Sequence, residues 1–374
     1  MFLFKAVLEP CTKTQYDTKI HNPCPTPTMS DSQRDNNFDL LRLIFAYVVV
    51  FAHTRELSGG FSDLFLFHSQ GWGVDGFFLL SGFLVFRSWQ NQPCFPSYFL
   101  RRFFRVYPAY ITVVLLQCCI MVALQWRETT LSEIAQYLAA NAVFLNFLKP
   151  AIGDLFSGLP FNAVNGALWT LKVEVTFYAI LPIAVIAARK HLPIILALAG
   201  LASFIYVFIL LDYEQVRLAN QFPGKIRLFV IGILLAIYKE RIPIWAYGAA
   251  VAAAIGVLLA GLDANNALNL FAKDVLLASG IMIAAFLIPR VRISRDISFT
   301  VYLTHFPLIQ FAVIAGLHSV VPFAAFLTII LVANTALALL LSVCIEKPLL
   351  SYGARLAASY KAREMDFSAR TYNN

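Results

Sequence analysis

Arg42 and His53 lie eleven residues apart in an otherwise apolar stretch. On an α-helix eleven residues make about three turns and about 16 Å of rise, so the two side chains share one face. A guanidinium is a permanent cation with a planar fork of donors. An imidazole titrates near neutral pH and can take or give a proton. Further ionisable residues stand in apolar surroundings: Asp75, Lys172, Glu174, Lys225, Arg227, Lys273, Asp274 and His305. A charge at the middle of a membrane helix costs about 2.5–3.5 kcal/mol on insertion scales, so each is a functional candidate by default. Lys225, Arg227, Lys273 and Asp274 fall near the ends of their stretches, where long side chains reach the interface, and they read as structural.

Glu174 sits mid-stretch, two residues from Lys172. Residues two apart on a helix face different ways, so Glu174 needs a partner on another helix. His305 also lies mid-stretch, with Pro307 two residues on to loosen the backbone ladder. Asp75 stands among Gly73, Gly76, Ser81 and Gly82, small residues that let a helix or a ligand approach the backbone. Arg101, Arg102 and Arg105 precede an apolar run. Charge alone fits topology and anionic headgroups; the planar fork also suits phosphate. The cysteines include no C-x-x-C pair, and adjacent Cys118 and Cys119 point to different faces, so they read as apolar fillers rather than a metal or redox site.

The elements that must position these groups follow from composition. The 374 residues are 59% apolar and only 13% charged, against roughly 25% charged in soluble domains. Such a chain lacks the polar surface to coat a soluble core, which excludes a soluble enzyme, a disordered chain and a secreted disulfide scaffold. The expected fold is all-α, a polytopic membrane protein. Ten stretches are long and apolar enough to be read as transmembrane helices: 38–54, 72–88, 104–125, 164–188, 192–211, 224–238, 243–260, 268–289, 297–317 and 321–345. Residues 134–148 are apolar but short, and predict a helix lying within the 126–163 loop. With the N-terminus inside, inner loops carry eleven basic residues and outer loops four, which places both termini in the cytoplasm. The net charge of +8 is spread between apolar runs, so nucleic acid is not an expected partner. Residues 1–36 read as a disordered polar tail with Met29 as an alternative start, 37–348 as the membrane domain and 349–374 as a cytoplasmic tail.

Six segments together resemble the acyltransferase 3 family of membrane O-acyltransferases. They are Asn37-Phe38-Asp39-Leu40-Leu41-Arg42 with His53 after ten intervening residues, the run Gly73 to Phe83, Arg101 to Pro108, Leu168 to Glu174, Tyr302 to Pro307, and Ile345-Glu346-Lys347-Pro348. Val175 departs from the pattern, since many members carry a second acidic residue there. The soluble domain of some members has no counterpart, so the resemblance is to a stand-alone member.

The resemblance implies transfer of an acyl group, often acetyl, from acyl-CoA (acetyl-CoA first) to a hydroxyl of a carbohydrate, a lipid-linked glycan or a similar acceptor, at the cell (inner) membrane and among its lipids. It implies His53 as general base, or as carrier of a short-lived acyl-imidazole, with Glu174 orienting or charge-balancing it. Arg42 would bind the donor or steady an oxyanion, and Arg101, Arg102 and Arg105 would hold CoA phosphates. Asp75, His305, Trp169 and Ser81 are candidates for acceptor binding or for the layer behind, and no metal is expected. Two other readings stand beside this one. A proton-coupled secondary transporter would relay through Asp75, Glu174 and His305, and a membrane scaffold or receptor would need none of them.

Overall fold

The structure is a computed structural model that describes residues 36–59, 70–260 and 266–372. Segment 1–35, including Met29, lies outside the described residues. Those described form helices and connecting turns, with no strand among them. In hydrocarbon no water is present to satisfy backbone groups, so apolar runs of this length fold as helices.

The main helices are α1 (Phe38–Ser58), α2 (Gln70–Asn91), α3 (Phe95–Leu124), α4 (Leu131–Ala142), α5 (Trp169–Ala188), α6 (Leu192–Asp212), α7 (Phe222–Tyr238), α8 (Ile244–Leu259), α9 (Ala267–Phe286), α10 (Ser298–Ile314), α11 (Phe323–Leu341) and α12 (Lys347–Tyr372). Prolines open α3, α6 and α7 at their first positions, where a missing N–H costs nothing. Arg189, at φ 46°, breaks the long apolar run into α5 and α6. Helix α4 begins with a capping box between Thr130 and Glu133 and is the element expected in the 126–163 loop.

Each of the ten apolar stretches is occupied by a helix. Five helical segments are long and apolar enough to cross a membrane: Phe95–Leu124, Gly166–Asp212, Val216–Tyr238, Ala267–Phe286 and Phe323–Tyr360. Helices Ile244–Leu259 and Ser298–Ile314 are apolar but shorter. The protein is thus a helical membrane protein.

Three features differ from the sequence reading. Helix α3 starts at Phe95, nine residues before the expected 104, because Pro96 suits a first turn and arginines are good helix formers. Arg101, Arg102 and Arg105 therefore stand on a helix and not in a loop. The C-terminal tail is itself a helix, α12, packed along α3, with Tyr352 edge-on to Phe104. Lys225, Arg227 and Asp274 do not snorkel; they are 6%, 6% and 5% exposed, paired with opposite charges inside the bundle.

Helix α2 is the central strut, packed on α1 and most extensively on α7. Helix α1 packs on α10, α10 on α11, α6 on α7, and α8 on α9. At the α2–α7 crossing, a Cβ on Gly82 would come within 2.2 Å of the Phe229 carbonyl, and one on Gly232 within 2.1 Å of the Leu79 carbonyl. Only glycine on both sides permits that approach. The largest apolar cluster joins Ala46, Val49 and Val50 of α1 to Phe78 of α2, Phe177 of α5, Phe229 of α7 and Phe306 of α10.

Candidate active site

The basic groups gather at one end of the bundle. Asp296, in the turn before α10, accepts from Arg42 Nη1 at 2.7 Å and from Arg105 Nη2 at 3.0 Å. Arg105 Nη1 also donates to Glu346 at 2.9 Å, where a single π-helical turn, Ser342–Glu346, ends α11. Arg42 Nη1 reaches Asp39 as well, at 3.0 Å. Four elements distant in sequence thus meet through two arginines and two carboxylates. Asn37, 2% exposed, pins the Asp296 turn to the start of α1: its Nδ2 donates to the carbonyls of Ala284 and Ile288, and its Oδ1 accepts from the N–H of Val291. Burial alone would raise the Asp296 carboxyl. Arg105, Arg42 and donated hydrogen bonds from Ser298 instead hold it well below the usual carboxylate range.

The expected three-arginine clamp is redistributed. Arg101 Nη1 donates to Gln92 and to Ser97, the latter at 2.7 Å, and does not line the central cavity. Arg105 is committed to two carboxylates. Arg102 donates from Nη2 to Ser88 at 3.0 Å and lies over the rings of Tyr98 and Tyr178. Its buried Nε meets no partner among the described residues.

A cavity of about 110 Å³ runs inward from this end. Arg42, Arg102, Arg105 and Ser298 line its mouth; Ser81, Thr170, Glu174, Tyr178 and Tyr302 line its interior, separated by Phe77, Leu84, Val106 and other apolar groups. Glu174 accepts from Ser81 Oγ at 2.8 Å and from the Tyr178 hydroxyl. The Tyr302 hydroxyl pairs with Thr170 Oγ1 at 2.8 Å. The partner Glu174 needed on another helix is therefore a serine hydroxyl of α2, in place of the expected imidazole.

His53 meets a different partner. Its Nδ1 lies 2.9 Å from Nε2 of His305, with the rings stacked at 5.1 Å and 19°. His305 is fully buried, and its Nδ1 lies 2.6 Å from the Tyr302 carbonyl. A carbonyl only accepts, so His305 Nδ1 carries the proton and its Nε2 a lone pair. That lone pair accepts from His53 Nδ1–H, which leaves a lone pair on His53 Nε2. Three atoms in series thus set the tautomer of His53.

The expected sites separate accordingly. His53, His305, Trp169, Arg101 and Asp75 do not line the cavity that holds Arg42 and Glu174. Arg42 serves the basic end, about 16 Å of helical rise from His53, which does not suit an oxyanion beside the imidazole. Trp169 opens α5 and packs against the central apolar cluster. Asp75 accepts from Lys225 Nζ at 2.7 Å. No hydrogen bond joins Asp75, Glu174 and His305 to one another among the described residues. Asp296, Asn37, Tyr178, Tyr302 and Thr170 escaped the sequence reading as site residues. The one available signal for Asp296 was a lone carboxylate beside Arg290, Arg292 and Arg295, two residues before a helix that starts with Ser298.

Comparison with known proteins bears on this arrangement. The model of a family described as an acyltransferase domain matches residues 35–343. Nodulation protein 10 of Rhizobium leguminosarum bv. viciae is 28% identical over 304 residues, covering 72% of this chain and 82% of its own. An O-acetyl transferase of Shigella phage Sf6 is 26% identical over 219 residues, 55% of this chain and 64% of its own. No solved structure matches. With the family model spanning most of the chain and the six segments in place, the chain belongs to the acyltransferase 3 family of membrane O-acyltransferases.

Proposed function

We propose that the chain is a ten-pass protein of the cell (inner) membrane with both termini cytoplasmic. In this reading it transfers an acyl group from acyl-CoA to a hydroxyl of a carbohydrate or lipid-linked glycan acceptor. The name of the phage relative, O-acetyl transferase, favours acetyl as the group moved. The observation that carries the proposal is the chain Tyr302 carbonyl–His305–His53, which presents an imidazole lone pair at His53 Nε2.

The basic mouth suits the phosphates of the donor. Arg102 has an unpartnered buried Nε, and Arg42 and Arg105 converge on Asp296, with Asp39 and Glu346 as their second partners. These three residues would hold the phosphates, and the pantetheine arm would pass through the apolar interior and between the helices toward His53, on the side of Tyr302, which lines the cavity and whose carbonyl holds His305. The donor supplies the thioester carbonyl. His53 Nε2 takes the proton of the acceptor hydroxyl as its oxygen bonds to the carbonyl carbon. His305 Nε2 keeps its hydrogen bond to the resulting imidazolium, and His53 returns the proton to the departing thiolate as the C–S bond breaks. Glu174, held by Ser81 and Tyr178, keeps its carboxyl turned into the cavity.

The test is acyl-CoA consumption and acceptor acylation by purified protein in nanodiscs, with surface glycans from cells with and without the gene compared by mass spectrometry. General base catalysis contributes about 10²–10⁴-fold, so His53→Ala at unchanged expression should lose at least that much transfer. Unchanged transfer in that variant would remove the proposal, and a transporter would consume no acyl-CoA at all.

A further inference from the structure

A second cavity, of about 290 Å³, opens beside Asp75, thirteen residues before Ser88 and so about 20 Å along α2 from the arginine end. Five charged side chains line it: Asp75, Lys225, Arg227, Lys273 and Asp274. Four of them are paired. Lys225 Nζ donates to Asp75 Oδ1 at 2.7 Å, and Arg227 donates to both oxygens of Asp274, at 2.7 and 3.3 Å. Lys273 has no ion pair or hydrogen bond among the described residues. The lining therefore holds three cations and two anions, an excess of one positive charge. Lys225 has spent one of three N–H donors on Asp75, so it too can serve a polyvalent acceptor.

A separate groove of about 730 Å³ lies between α6 and α9 over the outer face of α7. Its walls are hydrocarbon: Ala197, Leu201 and Phe204 of α6, Val230 of α7, and Phe271 and Val275 of α9. The groove and the charged cavity share Arg227 and Asp274, so the buried ion pair stands at the border between them. Alone, an apolar groove on a membrane protein says only that some chain covers it. A groove that ends on a cavity with an unpaired cation selects one chemistry, a hydrocarbon chain with an anionic head. Among the described residues the groove between α6 and α9 meets the cavity, and it gives one head the company of one chain. Phosphate, with several acceptor oxygens, suits Lys273 and Lys225 together better than a carboxylate does.

We propose that the two spaces form one site for a single-chain lipid phosphate, with the chain between α6 and α9 and the phosphate on Lys273 and Lys225. The site is distinct from the cavity beneath Glu174 and stands whether or not His53 is the base, because binding is read without turnover.

The experiment is native mass spectrometry of the full chain titrated with dodecyl phosphate, with dodecyltrimethylammonium and phosphatidylglycerol as comparison ligands. Two variants address the two halves: Lys273→Ala removes the unpaired charge, and Ala197→Trp fills the groove from an exposed position. Dodecyl phosphate should bind the wild type, the ammonium amphiphile should not, and each variant should weaken the phosphate by about tenfold or more. Because each variant blocks a different half, loss of folding in one leaves the other decisive. Equal retention of both amphiphiles, or unchanged affinity in the folded variants, would overturn the site. Lys273-dependent retention of phosphatidylglycerol with none of dodecyl phosphate would overturn the single-chain occupant.

Discussion

Asp296 holds Arg42 at 2.7 Å across 254 positions of sequence, and the same oxygen holds Arg105. Two cations on different helices are thus kept together by one carboxylate at the mouth of the central cavity. A phosphate arriving there meets guanidiniums that are already convergent.

Replacing that carboxylate tests the arrangement. Asp296→Asn replaces the charge that Arg42 and Arg105 share with a neutral amide acceptor and leaves only Asp39 and Glu346 to balance them. The expected loss is about 2–3 kcal/mol of stability, below the cost of breaking a fully buried pair because both arginine side chains are a quarter exposed. Thermal unfolding of the purified variant in detergent measures it, and an unchanged midpoint would show that the pairs contribute nothing.

The same carboxylate sets a pH dependence. Its folded value lies below the unfolded one of about 3.9, so the carboxylate is ionised in both states at neutral pH and its full contribution is present there. That contribution declines as pH falls below about 4, where the unfolded chain binds the proton first. The wild-type melting temperature should therefore drop more steeply below about pH 4 than that of Asp296→Asn. Parallel curves would count against the shifted carboxyl.

His305 acts through His53 as a positioning residue. His305→Ala removes the acceptor of His53 Nδ1–H, and transfer should fall by about 10²-fold or more even though His53 is intact. His305→Gln, whose side-chain carbonyl can accept from the same Nδ1–H, should recover part of the rate. The pH–rate profile distinguishes this from simple unfolding: its acidic limb, where the general base gains a proton, should move in the variant if His53 has changed environment, and stay in place if His305 only fills space.

The helix crossing at Gly82 and Gly232 has no room for a methyl group. Gly82→Ala drives its Cβ against the Phe229 carbonyl, a backbone atom that cannot swing aside, and should cost about 3 kcal/mol. Because Ser81 beside it holds Glu174, transfer should fall with stability. A variant as stable as the wild type would show that α2 and α7 can separate freely.

Much of this architecture was legible in one dimension. Apolar runs between basic turns mark the helices because hydrocarbon forbids unsatisfied backbone, and Arg42, His53 and Glu174 announce themselves because charge is expensive where they sit. What the chain alone left undecided is which charge meets which. His53 turned out to face His305, Glu174 to face Ser81, and Arg105 to face Asp296 and Glu346, and none of these pairings follows from spacing within a helix. Periodicity places a side chain on a face, but the partner on the opposing face is chosen by how helices cross. Those crossings are set by glycines, such as Gly82 and Gly232, whose contact exists only once the bundle has formed.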